Sequence, residues 1–178
     1  HWLTPFLSIL YPQVDKPMGT FHLNRVSVSA NVFWAAFSGL LFCLSFPKFG
    51  IGIVAWGALV PLFFALETVR PSQGFRMGFL TGMVANIGLF YWIADVVVQY
   101  GYLPRYLGIM TMLLLTAYLS LYTACFSAGV VYFKERGLPL FITGPVTWTV
   151  LEYAKSNLLT GFPWENLAYS QYLHHNII

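Results

Sequence analysis

Charged residues are scarce in this 178-residue sequence: only 8% of its residues are Asp, Glu, Lys or Arg, whereas 58% are hydrophobic. Soluble globular domains carry about 25% charged residues. A water-soluble fold of this length could not cover its surface with so few charges. The scarcity excludes an ordinary soluble domain, and the mean hydropathy of +0.68 indicates an integral membrane protein.

Cysteine and clustered basic residues are also scarce. The two cysteines, Cys43 and Cys125, both lie in apolar stretches, so they offer neither a disulfide framework nor a metal-binding spacing. We expect both to act as small packing residues. The nine Lys and Arg residues form no run, so the sequence lacks the basic patch that a nucleic-acid-binding surface needs.

What the sequence has instead is a series of long apolar segments. They run over residues 26–46, 51–66, 77–98, 107–132 and 138–153. Pro61 is expected to kink the short second segment. Backbone N–H and C=O groups inside a lipid bilayer must be hydrogen-bonded within the protein, which only helices and closed β-barrels achieve. The alternating apolar and polar pattern of barrel strands is missing, so these segments are predicted to be helices. The predicted fold class is an all-α integral membrane protein with about five transmembrane helices and no soluble domain.

The two ends of the chain differ from its middle. The apolar run of residues 2–11 contains Pro5 and has only half of the roughly 20 residues that a span needs. We therefore expect residues 1–25 to be an extension of interfacial character. Because the chain begins with His1 and stops abruptly at Ile178, we expect a fragment, and no cleavable signal peptide is evident.

Lys and Arg residues in the short loops predict the orientation of the spans. One side collects Lys16, Arg25, Arg70, Arg76, Lys134 and Arg136, and the other collects Lys48, Arg105 and Lys155. The larger group predicts a cytoplasmic N-terminus. Residues 26–157 then form the membrane region, and residues 158–178 form a loop on the outer side, which is the periplasm in a bacterium with two membranes.

Several small and polar residues lie within the third segment. Gly74, Gly78, Gly82 and Asn86 recur every four residues, a spacing that lets a neighbouring helix approach closely. We expect plain helix packing there, with Asn86 hydrogen-bonding across the contact. Asp95, near the end of the segment, is expected to reach interfacial water.

Glu152 lies near the outer end of the fifth segment, three residues before Lys155. Two interpretations stay open for this carboxylate. It forms a local ion pair with Lys155, or it contributes to an outward-facing site, since ionisable groups in membrane segments are costly and commonly functional.

The most specific pattern follows the fifth segment. Residues 159–171 read LTGFPWENLAYSQ, which resembles the segment of bacterial apolipoprotein N-acyltransferases that reads LTGFPW and, a few residues later, GYSQ. Ala168 stands where that family usually has Gly. Residues 44–50, 56–61, 91–104 and 117–122 resemble earlier segments of the same family, and the resemblance covers residues 30–175.

The resemblance implies an enzyme of lipoprotein maturation in the bacterial inner membrane, with several spans. In that family two more spans follow, then an outward-facing nitrilase-like domain with catalytic Glu, Lys and Cys, and a last span. A Cys thiolate takes an acyl chain from a phospholipid, and the amine of a diacylglyceryl-cysteine on an apolipoprotein accepts it, without metal or diffusible cofactor. Besides the phospholipid donor and the apolipoprotein acceptor, the resemblance implies contacts with the surrounding membrane lipids. This chain is expected to hold no catalytic residue and to be inactive alone.

The resemblance also implies a substrate-binding role for the outer loop. The candidate residues are Gly161, Phe162, Pro163, Trp164, Tyr169, Gln171 and Glu152. Aromatic rings just outside a span suit the membrane interface, and Gly161 with Pro163 predicts a bent, stiff backbone. The simpler alternative is an ordinary aromatic membrane anchor.

Two other classes of function remain as alternatives. In a transporter or channel fragment, Asn86, Asp95 and Glu152 would line a pathway, but charges are few and no inverted repeat is visible. The third class is a non-catalytic membrane scaffold.

Overall fold

The computed structural model describes residues 25–172, and this part of the chain is helical. Its helices are α1 (Arg25–Ser45), α2 (Val60–Ala65), α3 (Pro71–Phe90), α4 (Trp92–Gly101), α5 (Arg105–Glu135) and α6 (Leu140–Asn157). Short 3₁₀ turns occupy Gly52–Trp56, Leu158–Thr160, Pro163–Glu165 and Leu167–Gln171. No strand occurs within residues 25–172, so the all-α fold class is confirmed. The predicted N-terminal extension lies outside the described residues, apart from Arg25.

Helix α3 forms the centre of the packing, between α1 and α5. Gly78 lies so close to α5 that a Cβ atom there would overlap the Ser127 hydroxyl, and a Cβ at Gly82 would come within 2.8 Å of the Ser120 Cα. Asn86 donates from Nδ2 to the Ser120 hydroxyl at 3.2 Å. The prediction that this stripe serves helix packing is confirmed.

The third apolar segment is broken at Tyr91, although the sequence predicted one continuous helix. Helices α3 and α4 meet there at 50°. The Lys48 ammonium lies 3.6 Å from the centre of the Tyr91 ring and donates a hydrogen bond to the Tyr91 hydroxyl. Asp95 follows the break in the first turn of α4, and its side chain is exposed. That it reaches interfacial water stays a prediction.

The second apolar segment is a 3₁₀ turn followed by the six-residue helix α2. Pro61 lies in the first turn of α2, where a proline is compatible with helix because that turn leaves its N–H groups unpaired. The prediction of one helix kinked at Pro61 is therefore wrong, because the proline lies in the first turn of a separate short helix.

The described residues hold two helices, α1 and α5, that are long and apolar enough to cross a membrane by themselves, and the bent pair α3–α4 makes a third if it counts as one span. Helix α2 is only about 9 Å long at 1.5 Å per residue. The count of five spans and the orientation of the chain stay predictions.

Candidate functional site: the loop after α6

The loop begins where α6 ends and the chain folds back on it. Leu159 and Gly161 have positive φ angles of 50° and 78°, a region that side chains other than glycine rarely adopt. A Cβ atom at Gly161 would also overlap the Ser156 carbonyl oxygen. Only glycine fits this position, and the reversal brings the following residues back against the last turns of α6.

Lys155 holds the returning chain at two points. Its carbonyl oxygen accepts a hydrogen bond from the Phe162 backbone N–H at 2.9 Å. Its ammonium group donates to the Glu165 carbonyl oxygen at 3.1 Å. Only 6% of the Lys155 side chain is exposed, so the ammonium is enclosed between α6 and the loop.

Glu152 makes the third attachment. Its Oε1 accepts a hydrogen bond from the Leu167 backbone N–H at 2.7 Å, at the start of the last 3₁₀ turn. A carboxylate is a strong acceptor for such an unpaired N–H. Within residues 25–172, Glu152 and Lys155 form no ion pair with each other, because each takes a backbone partner from the loop.

Glu165 is turned into the protein, with only 7% of its side chain exposed. Burial raises the pKa of this carboxyl to about 7, against the opposing effect of the Lys155 ammonium, and the Glu152 carboxylate adds to the rise. The sequence prediction missed Glu165 as well as Lys155. The available signal for Glu165 was a charged residue directly after the GFPW run. Its burial could not be predicted, because it follows from the reversal of the chain at Gly161.

The end of the loop is joined to the chain after α1. The Gln171 side-chain amide donates to the Gly52 carbonyl oxygen at 2.7 Å and to the Ser170 hydroxyl at 3.0 Å. The backbones are in close contact as well, since a Cβ atom at Gly52 would lie 2.6 Å from the Ser170 carbonyl oxygen. The loop is thus fixed at both of its ends.

The two aromatic residues of the GFPW run face in different directions. Phe162 packs edge-on against Phe90 at the end of α3, with the ring centres 5.4 Å apart. Trp164 is 68% exposed. Tyr169, later in the loop, is also exposed. Phe162 therefore anchors the loop, while Trp164 and Tyr169 present aromatic surface.

An apolar cleft of about 960 Å³ lies beside the loop, between α2 and α6. Its walls include Val60, Phe63, Phe141 and Pro145, and the polar residues Glu152 and Gln171 also belong to the lining. Trp148 forms part of the lining and packs edge-on against Phe126 at 5.0 Å. The indole N–H of Trp148 is buried and finds no hydrogen-bond partner among the described residues.

The structure thus brings all seven candidate residues of the sequence analysis into one loop and the helix end beneath it. Their side chains divide into two groups. Phe162, Glu152 and Gln171 are engaged with other parts of the protein, whereas Trp164 and Tyr169 are exposed. Gly161 and Pro163 shape the backbone.

These observations define a helical membrane protein in which the last described helix carries a fixed loop with an exposed tryptophan. The chain belongs to the apolipoprotein N-acyltransferase family, because the model of the apolipoprotein N-acyltransferase N-terminal domain matches residues 38–178. The resemblance seen in the sequence is confirmed.

Three curated relatives are all named apolipoprotein N-acyltransferase. The protein of Geobacter metallireducens is 44% identical over 138 residues, which cover 78% of this chain and 26% of that protein. The protein of Neisseria meningitidis serogroup A is 35% identical over 118 residues, covering 64% and 23%. The protein of Pasteurella multocida is 32% identical over 139 residues, covering 78% and 26%. The chain spans about a quarter of the length of these relatives.

Proposed function

We propose that this chain is the membrane part of an enzyme that transfers an acyl chain from a phospholipid to the N-terminal amine of diacylglyceryl-cysteine in apolipoproteins. Family membership supports the reaction. The single observation that carries the role of this chain is the exposed Trp164 on a loop that is fixed at both ends.

The chain binds and positions the lipid substrates, and the chemical step takes place outside it. Both substrates carry acyl chains, so they must be held at the membrane surface while a nucleophile in the nitrilase-like domain reacts. An indole suits that place, because it offers a broad apolar face and one N–H donor. The apolar cleft beside the loop gives a neighbouring surface of matching chemistry for an acyl chain.

The seven substrate-site residues take distinct parts in this proposal. Trp164 and Tyr169 contact lipid. Gly161 and Pro163 set the direction of the backbone, and Phe162, Glu152 and Gln171 hold the loop through their own contacts. Residues 26–157 form the multi-pass region of a bacterial inner membrane protein, and residues 158–178 form its periplasmic loop.

The transporter alternative loses support from the positions of its candidate residues. Asn86 is buried between α3 and α5 and bonded to Ser120. Asp95 is exposed beyond the break at Tyr91, and Glu152 is bonded to the loop. These groups therefore lie in three different environments.

The test is acyl transfer to a diacylglyceryl peptide in phospholipid-containing micelles. The full-length protein is expected to transfer the acyl chain through a thioester, and the 178-residue chain alone is expected to be inactive. Lack of transfer by full-length protein would overturn the proposal. Turnover by the 178-residue chain would overturn the view that the nucleophile lies outside it.

A further inference from the structure

One residue of α6 holds the chain on both sides of the Pro163–Trp164 pair. The Lys155 carbonyl oxygen accepts from the Phe162 N–H, and the Lys155 ammonium donates to the Glu165 carbonyl oxygen. We call these two hydrogen bonds, which attach Phe162 and Glu165 to Lys155, the bracket. From the bracket we infer that Lys155 is a positioning residue of the acyl-transfer reaction, which keeps Trp164 at a fixed place on the lipid-facing side of the loop. The inference rests on the proposed function.

The bracket is asymmetric, and this asymmetry makes it testable. The bond to Phe162 uses the backbone of Lys155 and survives any side-chain change. The bond to Glu165 uses the ammonium group, which makes it a charge-assisted bond, and such bonds are about twice as strong as neutral ones. A side-chain substitution therefore removes the attachment at Glu165. It leaves the Phe162 bond before Trp164 and the bond between Leu167 and Glu152 beyond it.

The enclosure of Lys155 explains why an ordinary apolar residue would not serve. The ammonium group is buried and lies near the carboxylates of Glu152 and Glu165, which offset part of its desolvation. A buried ammonium without its acceptor is costly, so the folded loop and the buried lysine stabilise each other. Methionine has a similar length and no charge, so it fills the space but leaves the Glu165 carbonyl oxygen without this donor.

The experiment compares Lys155→Met with Lys155→Arg in the full-length protein. The control is Arg76→Met, which removes a charge from an exposed position of α3. In Lys155→Met, backbone amide hydrogen exchange across residues 164–167, which follow Pro163 and each carry an N–H, is expected to speed up roughly tenfold, on the scale of one lost hydrogen bond to a charged group. Lys155→Arg keeps a charged donor and is expected to restore slow exchange in large part, and Arg76→Met is expected to leave exchange unchanged.

The kinetic constants KM and kcat distinguish loss of Trp164 positioning from a general loss of folded protein. Because Trp164 would still be present but poorly held, Lys155→Met is expected to raise the KM for phospholipid roughly tenfold and to change kcat less. A double variant, Lys155→Met with Trp164→Ala, is expected to be no worse than Trp164→Ala alone, since Lys155 acts through Trp164. Such non-additivity is the mark of two residues that work as a unit.

Three results would be decisive against parts of this scheme. Unchanged amide exchange in Lys155→Met would overturn the bracket itself. Faster exchange with unchanged KM, or additive losses in the double variant, would overturn the positioning role. Absence of acyl transfer by the unsubstituted full-length protein would overturn the proposed function instead, and amide exchange, which needs no substrate, would still decide the bracket.

Discussion

The side-chain amide of Gln171 donates a hydrogen bond to the carbonyl oxygen of Gly52 at 2.7 Å, although 119 positions separate the two residues in sequence. The bond joins the end of the loop after α6 to the 3₁₀ turn that follows α1. It makes the loop part of the packed helices rather than a free connection.

This junction predicts a specific intolerance at Gly52. In Gly52→Ala the new Cβ would lie 2.6 Å from the Ser170 carbonyl oxygen, so the loop must shift, at a cost of about 1–3 kcal/mol typical of overpacking. We expect a lower midpoint of thermal unfolding for the full-length variant in detergent. Gly57→Ala is the matched control, because nothing lies within 4 Å of a Cβ there. Equal midpoints for the two variants would contradict the close contact.

Trp164 gives the second prediction. Trp164→Ala is expected to reduce acyl transfer by roughly 100-fold, the scale of loss that a misplaced reactant causes, while folding and membrane insertion persist because the side chain is mostly exposed. Trp164→Phe keeps most of the apolar area but loses the donor, so it should fall between. Thioester formation is measured separately from transfer to the peptide.

The control for Trp164 is Trp34→Phe on α1, where the indole packs among Phe33, Phe37 and Phe64. This variant is expected to lose little activity. If Trp164→Ala kept near-normal rates in both half-reactions, Trp164 would be a membrane anchor and nothing more.

Glu165 predicts how stability changes with pH. Its pKa is raised from 4.5 to about 7 by burial, so the folded protein binds this proton more tightly than the unfolded chain does. The resulting stabilisation is fully present below about pH 4.5 and is lost as pH rises through about 7. The groups that face Glu165 are Lys155 and Glu152 of α6 and Cys43 of α1.

Glu165→Gln isolates this contribution, because glutamine has nearly the same shape and does not titrate. Between pH 5 and 8, the thermal midpoint of the unsubstituted full-length protein is expected to fall more steeply than that of Glu165→Gln. Glu67→Gln is the control, since Glu67 is exposed and the same substitution there should leave the pH dependence unchanged. Parallel curves for Glu165→Gln and the unsubstituted protein would disprove the role of Glu165.

The orientation in the membrane gives the last prediction. After Cys43 and Cys125 are replaced, Leu159→Cys is expected to react with a membrane-impermeant reagent from outside, and Glu135→Cys is expected to be protected. The division of Lys and Arg residues between the two sides motivates this expectation. Both positions are exposed, so protein burial does not confuse the comparison. Labelling of position 135 but not 159 would reverse the topology.

The sequence predicted the long helices well, because strong breakers mark their limits. Helix α1 ends at Ser45, just before Pro47, and α5 ends at Glu135, just before Gly137. The break at Tyr91 could not be predicted in the same way. The residues on both sides are apolar and the backbone of Tyr91 itself stays helical, with φ −54° and ψ −31°, so neither composition nor a breaker marks the bend.

The candidate site divides along a similar line. Motif resemblance found the loop and its aromatic residues, and the glycine of GFPW marked the reversal. Lys155 and Glu165 were missed because their importance arises from contacts between α6 and the returning chain. Such contacts depend on the positive φ angles at Leu159 and Gly161, and the angle at Leu159 has no signature in the identity of the residue.

The bond between Gly52 and Gln171 also imposes an order in time on biosynthesis. The Gly52 carbonyl oxygen leaves the ribosome 119 residues before its partner, so it must be satisfied by water or another temporary donor while α2 to α6 are being made. The loop after α6 therefore closes late in folding, and a nascent chain halted before Gln171 lacks this closure however well its helices have been inserted.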